Sequence, residues 1–169
     1  MIFTLIGMPG AGKSCMGKAV SAKLKLPLID SDKLIEKRFG KRLQTVLDEI
    51  GVDEFRRVEQ EVLLELKAGD QHTILSTGGS AVYSKAAMDY LRTQGKVIYL
   101  YCSCDTIISR IDNPDDRGIV LKPGQSLTDL FYERTPLYEA AADITVSCDG
   151  RAYPRYQREL ISVIEKYIK

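Results

Sequence analysis

The residues Gly7-Met8-Pro9-Gly10-Ala11-Gly12-Lys13-Ser14 fit the phosphate-binding pattern G-x-x-x-x-G-K-[ST]. Glycines let backbone N–H groups approach a phosphate with no Cβ in the way, and a helix N-terminus adds positive potential. In such a loop Lys13 reaches the β- and γ-phosphates, and the Ser14 hydroxyl is a ligand for Mg²⁺. The bare pattern arises by chance in about one chain in two hundred of this length. An ordinary glycine turn would leave Gly12-Lys13-Ser14 at the head of a helix unexplained. The expected ligand is a nucleoside triphosphate.

Asp30 and Asp32 stand two residues apart at the end of a predicted strand. In extended chain both side chains point the same way, toward the phosphate loop. Phosphoryl transfer needs one group to hold hydrated Mg²⁺ and another to orient or deprotonate the attacking hydroxyl, and two carboxylates can divide that work. The run Asp30-Ser31-Asp32 is also good capping sequence, with Ser31 or Asp32 expected to cap the helix that follows. Capping alone does not account for both acids beside a phosphate loop. Arg56, Arg57 and Arg134 have the default meaning of arginines on helices, exposed ion pairs. Arg117 stands in a turn-rich segment. An arginine there either closes over a γ-phosphate or sits on a plain surface connection, and chemistry alone leaves both open. Cys15, at the helix N-terminus beside the phosphates, is expected to be alkylated with loss of activity and protected by nucleotide. His72 precedes the apolar Ile74-Leu75 and is not expected to catalyse.

The elements that must position these groups alternate along the chain. Ile2-Phe3-Thr4-Leu5-Ile6 is apolar and β-prone, and apolar residues recur at helical spacing behind the loop, from Lys13 to about Lys25. Further strands are expected at Pro27-Leu28-Ile29-Asp30, over residues 72–76, at Val97-Ile98-Tyr99-Leu100-Tyr101 and at Ile144-Thr145-Val146. Helices are expected up to Phe39, over 43–50, from about 53 to 68, over 85–92, from about 105 to 111, near 127–133 and at the C-terminus. Residues 113–124 are polar and turn-rich, hence loop. Strands each followed by helix imply a parallel sheet with helices on both faces, and ligands then bind beyond the carboxyl ends of the strands.

Composition narrows the class. The 169 residues are 44% hydrophobic and 28% charged, as in one soluble globular domain. The net charge is +1, and no basic stripe with interleaved aromatics suggests nucleic acid as a partner. No apolar run has the length of a membrane span, and no leader precedes the first strand, so a cytoplasmic location is expected. Cys15, Cys102, Cys104 and Cys148 lack the paired spacing of a zinc site and are expected as free thiols in a reducing compartment.

Taken in order, the phosphate loop, Asp30-x-Asp32, Phe55-Arg56-Arg57 with Glu59, Thr77-Gly78-Gly79, Arg110, Arg117 and Arg134-x-Pro136-x-Tyr138 resemble the shikimate kinases. These lie in the nucleoside-monophosphate-kinase-like branch of P-loop proteins. The likeness runs from Ile2 to about Val146. It implies an α/β three-layer sandwich with a five-stranded parallel sheet, the P-loop NTPase fold. Residues 1–169 would form a single kinase domain, with a substrate-binding subdomain at about 31–66 and a lid at about 112–125. The implied reaction transfers the γ-phosphate of ATP to the 3-hydroxyl of shikimate, in aromatic amino-acid biosynthesis, with Mg²⁺ as cofactor. The resemblance implies nucleotide binding by Gly10, Ala11, Gly12, Lys13, Ser14, Cys15, Arg110 and Arg117, with Ser14 and Asp30 around the metal. It implies substrate binding by Asp32, Arg56, Gly78, Gly79 and Arg134, and catalysis by Lys13, Asp32 and Arg117. The partners would be ATP and a small carboxylate-bearing hydroxy acid, with no nucleic acid or membrane, and the protein a monomer. Ser80 stands where these kinases usually carry a third glycine, and Gly118 where their lid usually carries proline. A kinase of another small hydroxy acid such as homoserine, a nucleotide kinase and a nucleotide-dependent switch remain alternatives.

Overall fold

Strand β1 (Ile2–Ile6) has every side chain buried, as expected of a strand covered on both faces. It is the centre of the computed structural model, which describes residues 1–111, 119, 121–149 and 153–168. The chain continues through α1 (Lys13–Leu24), β2 (Leu28–Asp30), α2 (Ser31–Phe39), α3 (Leu43–Leu64) and β3 (Thr73–Ser76). After a 3-10 turn at Ala81–Tyr83 come α4 (Lys85–Gln94), β4 (Gly95–Tyr101), α5 (Cys104–Arg110), α6 (Leu127–Ala141), β5 (Ile144–Ser147) and α7 (Tyr153–Ile168). The strands form one parallel sheet in the order β2-β3-β1-β4-β5, with Phe3 opposite Ile74 on one side and Lys96 on the other. Helices α1 and α7 pack together on one face, α4 and α6 on the other.

Because all five strands run the same way, β1, β2 and β3 end at one edge. Gly7 follows β1, Asp30 closes β2 and Thr77 follows β3, so the phosphate loop, the acids and the glycine pair share that edge. His72 lies ahead of β3, at the opposite end of the sheet, where its ring rests 6.0 Å from that of Phe3. Two separate apolar clusters form. The large one spans the sheet and its covering helices. The small one, Ile35, Val46, Leu47, Phe55, Val58 and Val62, is shared by α2 and α3.

Two elements differ from the sequence expectation. The two helices expected over 43–50 and 53–68 are one helix, α3, broken at Gly51, whose φ of 78° and ψ of 170° only glycine adopts readily. It ends at Leu64, four residues early. Helix α6 does not stop near Glu133 but runs through Pro136 to Ala141. Proline deprives the Tyr132 carbonyl of its donor. The buried side chains of Arg134, Tyr138 and Ala141 nevertheless hold the helix against the core. The loop expected at 113–124 is described only at Ile119 and from Leu121 onward, where Lys122 to Gln125 form a tight turn. Arg117 and Gly118 lie outside the described residues.

Candidate active site

The phosphate loop owes its shape to Gly10 and Gly12, with φ of 81° and 91°. Gly12 caps α1 without a side chain, so the first N–H groups of the helix have no side-chain acceptor and are aimed at the cleft. Lys13 is buried and donates to the carbonyls of Gly7 at 2.7 Å and Met8 at 2.9 Å, tying the ammonium to its own loop. Burial lowers its pKa to about 8, against the opposing charge of Asp32.

The acids are arranged by the first turn of α2, and extended geometry does not persist through them. Asp30, not Ser31 or Asp32, is the cap. Its Oδ1 accepts from the backbone N–H groups of Asp32 at 3.0 Å and Lys33 at 3.4 Å. Its other oxygen, Oδ2, accepts from the Ser14 hydroxyl at 3.2 Å. A hydroxyl beside a carboxylate is a hard oxygen pair that fits Mg²⁺, an ion that keeps waters and takes phosphate oxygens for its remaining positions. Among the described residues no group of three or more His, Cys, Asp or Glu side chains forms a metal cluster. Asp32, in the first turn of α2, enters the cleft with Oδ1 buried and unpartnered. Burial, reinforced by the charge of Asp30, pushes its pKa up to about 6.

The cleft has a volume of about 430 Å³. The phosphate loop and Asp32 line one side; Leu43, Phe55 and Glu59 of α3, Gly78-Gly79-Ser80, Ile119 and Arg134 complete it. Gly78 donates its N–H to Ser31 Oγ at 3.1 Å. A Cβ on Gly78 would stand 2.5 Å from Glu59 Oε1 and 2.7 Å from Asp32 Oδ1. One on Gly79 would stand 3.0 Å from Arg134 Nη1. The two glycines are therefore what let both acids and the arginine converge.

Glu59 was not singled out from sequence as a site residue, yet it is buried in this wall, with Oε1 unpartnered. Burial pushes its pKa up to about 7, opposed by the Ser80 hydroxyl, which donates to Oε2 at 2.7 Å. Its i, i+4 spacing from Phe55 was the available signal, since the two share one helix face. The Ser80 side chain is thus accommodated by a buried acid.

The arginines divide. Arg57 takes the ion pairs with Glu54 and Glu61 that sequence allowed to any of them. Arg134 is 1% exposed inside α6, lines the cleft and leaves Nη2 without a partner. Arg56 borders an adjoining cavity of about 220 Å³, with its guanidinium 4.0 Å from the Tyr83 ring centre and Nε unpartnered. Among the described residues neither Arg56 nor Arg134 forms an ion pair. Arg110 Nη1 lies 3.4 Å from both the Gly10 carbonyl and Cys102 Sγ, beside the phosphate loop. Cys15 lines the cleft as an exposed thiol, 3.4 Å from the Tyr153 hydroxyl.

The family model "Shikimate kinase" matches residues 9–165. A shikimate kinase of Pseudomonas aeruginosa is 38% identical over 164 residues, 96% of this chain and 95% of that one. Another, of Francisella tularensis subsp. novicida, is 37% identical over 148 residues, 86% of this chain and 84% of its own. The solved shikimate kinase of Acinetobacter baumannii in complex with shikimate superposes with a TM-score of 0.84 at 30% identity, covering 99% of this chain and 95% of that one. A phosphate loop, a hydroxyl–carboxylate pair and a buried unpaired arginine on a parallel sheet thus coincide with a match across nearly the whole sequence: this chain belongs to the shikimate kinase family.

Proposed function

We propose that this protein transfers the γ-phosphoryl group of ATP to the 3-hydroxyl of shikimate. The observation that carries the choice of acceptor is Arg134, a fully buried cation with an unpartnered nitrogen and, among the described residues, no ion pair. A buried charge without a counter-ion is costly, and a planar carboxylate is the anion that an arginine fork matches. Arg134, joined by Arg56, receives the carboxylate of the substrate.

Asp32 then orients the hydroxyls and takes the proton of the one attacked, because its raised pKa makes it a better base than a solvated carboxylate. Glu59 accepts from the substrate beside it. Gly78 and Gly79 keep this wall thin enough for substrate to reach both acids. The α1 N-terminus and Lys13 hold the β- and γ-phosphates. Gly10, Ala11, Gly12 and Cys15 line the phosphate path, and Arg110 lies against the base. Ser14 and Asp30 would hold Mg²⁺, which when bound offsets the charge of the phosphate oxygens. Arg117 serves as a lid arginine in the segment at about 112–125, and residues of about 31–66, with their own small core, form the substrate subdomain.

The protein acts as a monomer in the cytoplasm. In support of the location, its four cysteines are free thiols. No helix among the described residues is long and apolar enough to cross a membrane.

Steady-state assays with shikimate, homoserine, gluconate and nucleoside monophosphates test the acceptor. Shikimate turnover well above background ATPase is expected, and its absence ends the assignment. The change Arg134→Ala should raise KM for shikimate by about tenfold or more, leaving KM for ATP within about twofold. An unchanged KM for shikimate removes Arg134 from the site.

A further inference from the structure

We propose that Tyr83 is a positioning residue that sets the geometry of the two arginines receiving the substrate carboxylate. The proposal rests on the reading of Arg56 and Arg134 as that clamp.

Both guanidiniums lie over one ring, that of Tyr83, with Arg56 Cζ at 4.0 Å and Arg134 Cζ at 5.1 Å from its centre. Two cations drawn to one place repel each other, and no carboxylate among the described residues pairs with either. What offsets the repulsion is the negative face of the ring, on which a planar guanidinium stacks well. The hydroxyl adds direction. It accepts from Arg134 Nε at 3.3 Å and donates to Glu133 Oε1. Glu133 is itself held by Gln125 Nε2 at 2.7 Å and Lys122 Nζ at 3.3 Å. The ring is therefore fixed at both its face and its tip.

Its anchorage is tied to the site. Tyr83 ends the 3-10 turn that follows Gly78-Gly79-Ser80 directly, so the backbone that carries the ring continues the glycine wall. The next residue, Ser84, donates to Gln60 Oε1 at 2.6 Å, on the helix that carries Arg56 one turn earlier. Tyr83 thus joins the glycine wall to α3 and α6, the two helices that otherwise bring their arginines independently. The result is an anion site assembled before the anion arrives, with less side-chain ordering left to binding.

The test is steady-state kinetics of wild type, Tyr83→Phe, Tyr83→Leu, Arg56→Ala and the double variant Arg56→Ala/Tyr83→Leu, with shikimate and with its methyl ester. Tyr83→Leu should raise KM for shikimate about tenfold and Tyr83→Phe about threefold, with kcat and KM for ATP within about twofold. The ester, lacking the charge the clamp receives, should show the same KM with wild type and Tyr83→Leu. On the Arg56→Ala background the effect of Tyr83→Leu should shrink, as expected of residues that act together. An unchanged or lowered KM for shikimate, a parallel rise for the ester, or full additivity overturns the role of Tyr83. Wild type that makes no phosphorylated shikimate overturns the parent reading, and this one with it.

Discussion

Asp32 and Glu59 share one wall with their burial-raised pKa values of about 6 and about 7, and Lys13 faces them with one lowered to about 8. Activity needs the acids as bases and the lysine as a cation. The profile of kcat/KM, which reports the free enzyme, should therefore be a bell with an acid limb near 6, belonging to the coupled acids, and a basic limb near 8. A profile flat between those limbs and well beyond them would remove these groups from the chemistry. Stability runs the other way. A carboxyl whose folded pKa exceeds its unfolded one favours the fold below the unfolded value and loses that advantage as pH rises through the folded one. Wild type should thus lose about 3 kcal/mol relative to Asp32→Asn between about pH 4 and pH 7, read from denaturant melts. A constant difference would mean that Asp32 is not titrating in a buried setting. At this scale Gly7 to Ser14 and the two acids were legible because local spacing carries their chemistry. Glu59 and Tyr83 were not, because each matters only through partners brought together from distant segments. Side-chain chemistry alone did not separate Arg56 from Arg57; the family resemblance chose Arg56, and the fold shows Arg57 taking the acids of its own helix.

Helix α3 shows how an element aims a site. Its first part brings Leu43 to the cleft and its second part Phe55 and Glu59, with Arg56 bordering the second cavity and the break at Gly51 setting the angle between the two parts. Nothing lies within 4 Å of a Cβ built on Gly51, so any cost of Gly51→Ala comes from its backbone, which only glycine adopts easily. That substitution should destabilise by about 1–3 kcal/mol. As the chain relaxes toward continuous helix, Phe55 and Glu59 are re-aimed, so KM for shikimate should rise while KM for ATP stays. Equal effects on both substrates would show that the kink serves general stability instead. The break was visible in sequence only as the gap between the helices expected over 43–50 and from about 53 to 68. Helix α6 was less legible, because Pro136 reads as a stop and only tertiary burial of Arg134 and Tyr138 overrides it.

Across the whole molecule, a topology of strands alternating with helices was readable from periodicity, and the parallel sheet follows from it. What periodicity could not show is that the apolar residues partition into two cores of unequal size. The cluster between α2 and α3 holds six buried side chains, against the large cluster that includes all of β1 except Thr4. Cooperative units with few buried apolar contacts open at lower free energy than the central sheet. Amide hydrogen exchange should therefore report faster opening in α2 and α3 than in β1 and β4. Asp32, Phe55 and Glu59 sit on that weaker unit, whereas Lys13 and Ser14 start a helix packed on the main core. Shikimate should then slow exchange chiefly in α2 and α3, and ATP chiefly around α1, because each ligand stabilises the unit that binds it. If shikimate protects both units equally, the small core is not an independent unit and substrate binding is coupled to the entire sheet.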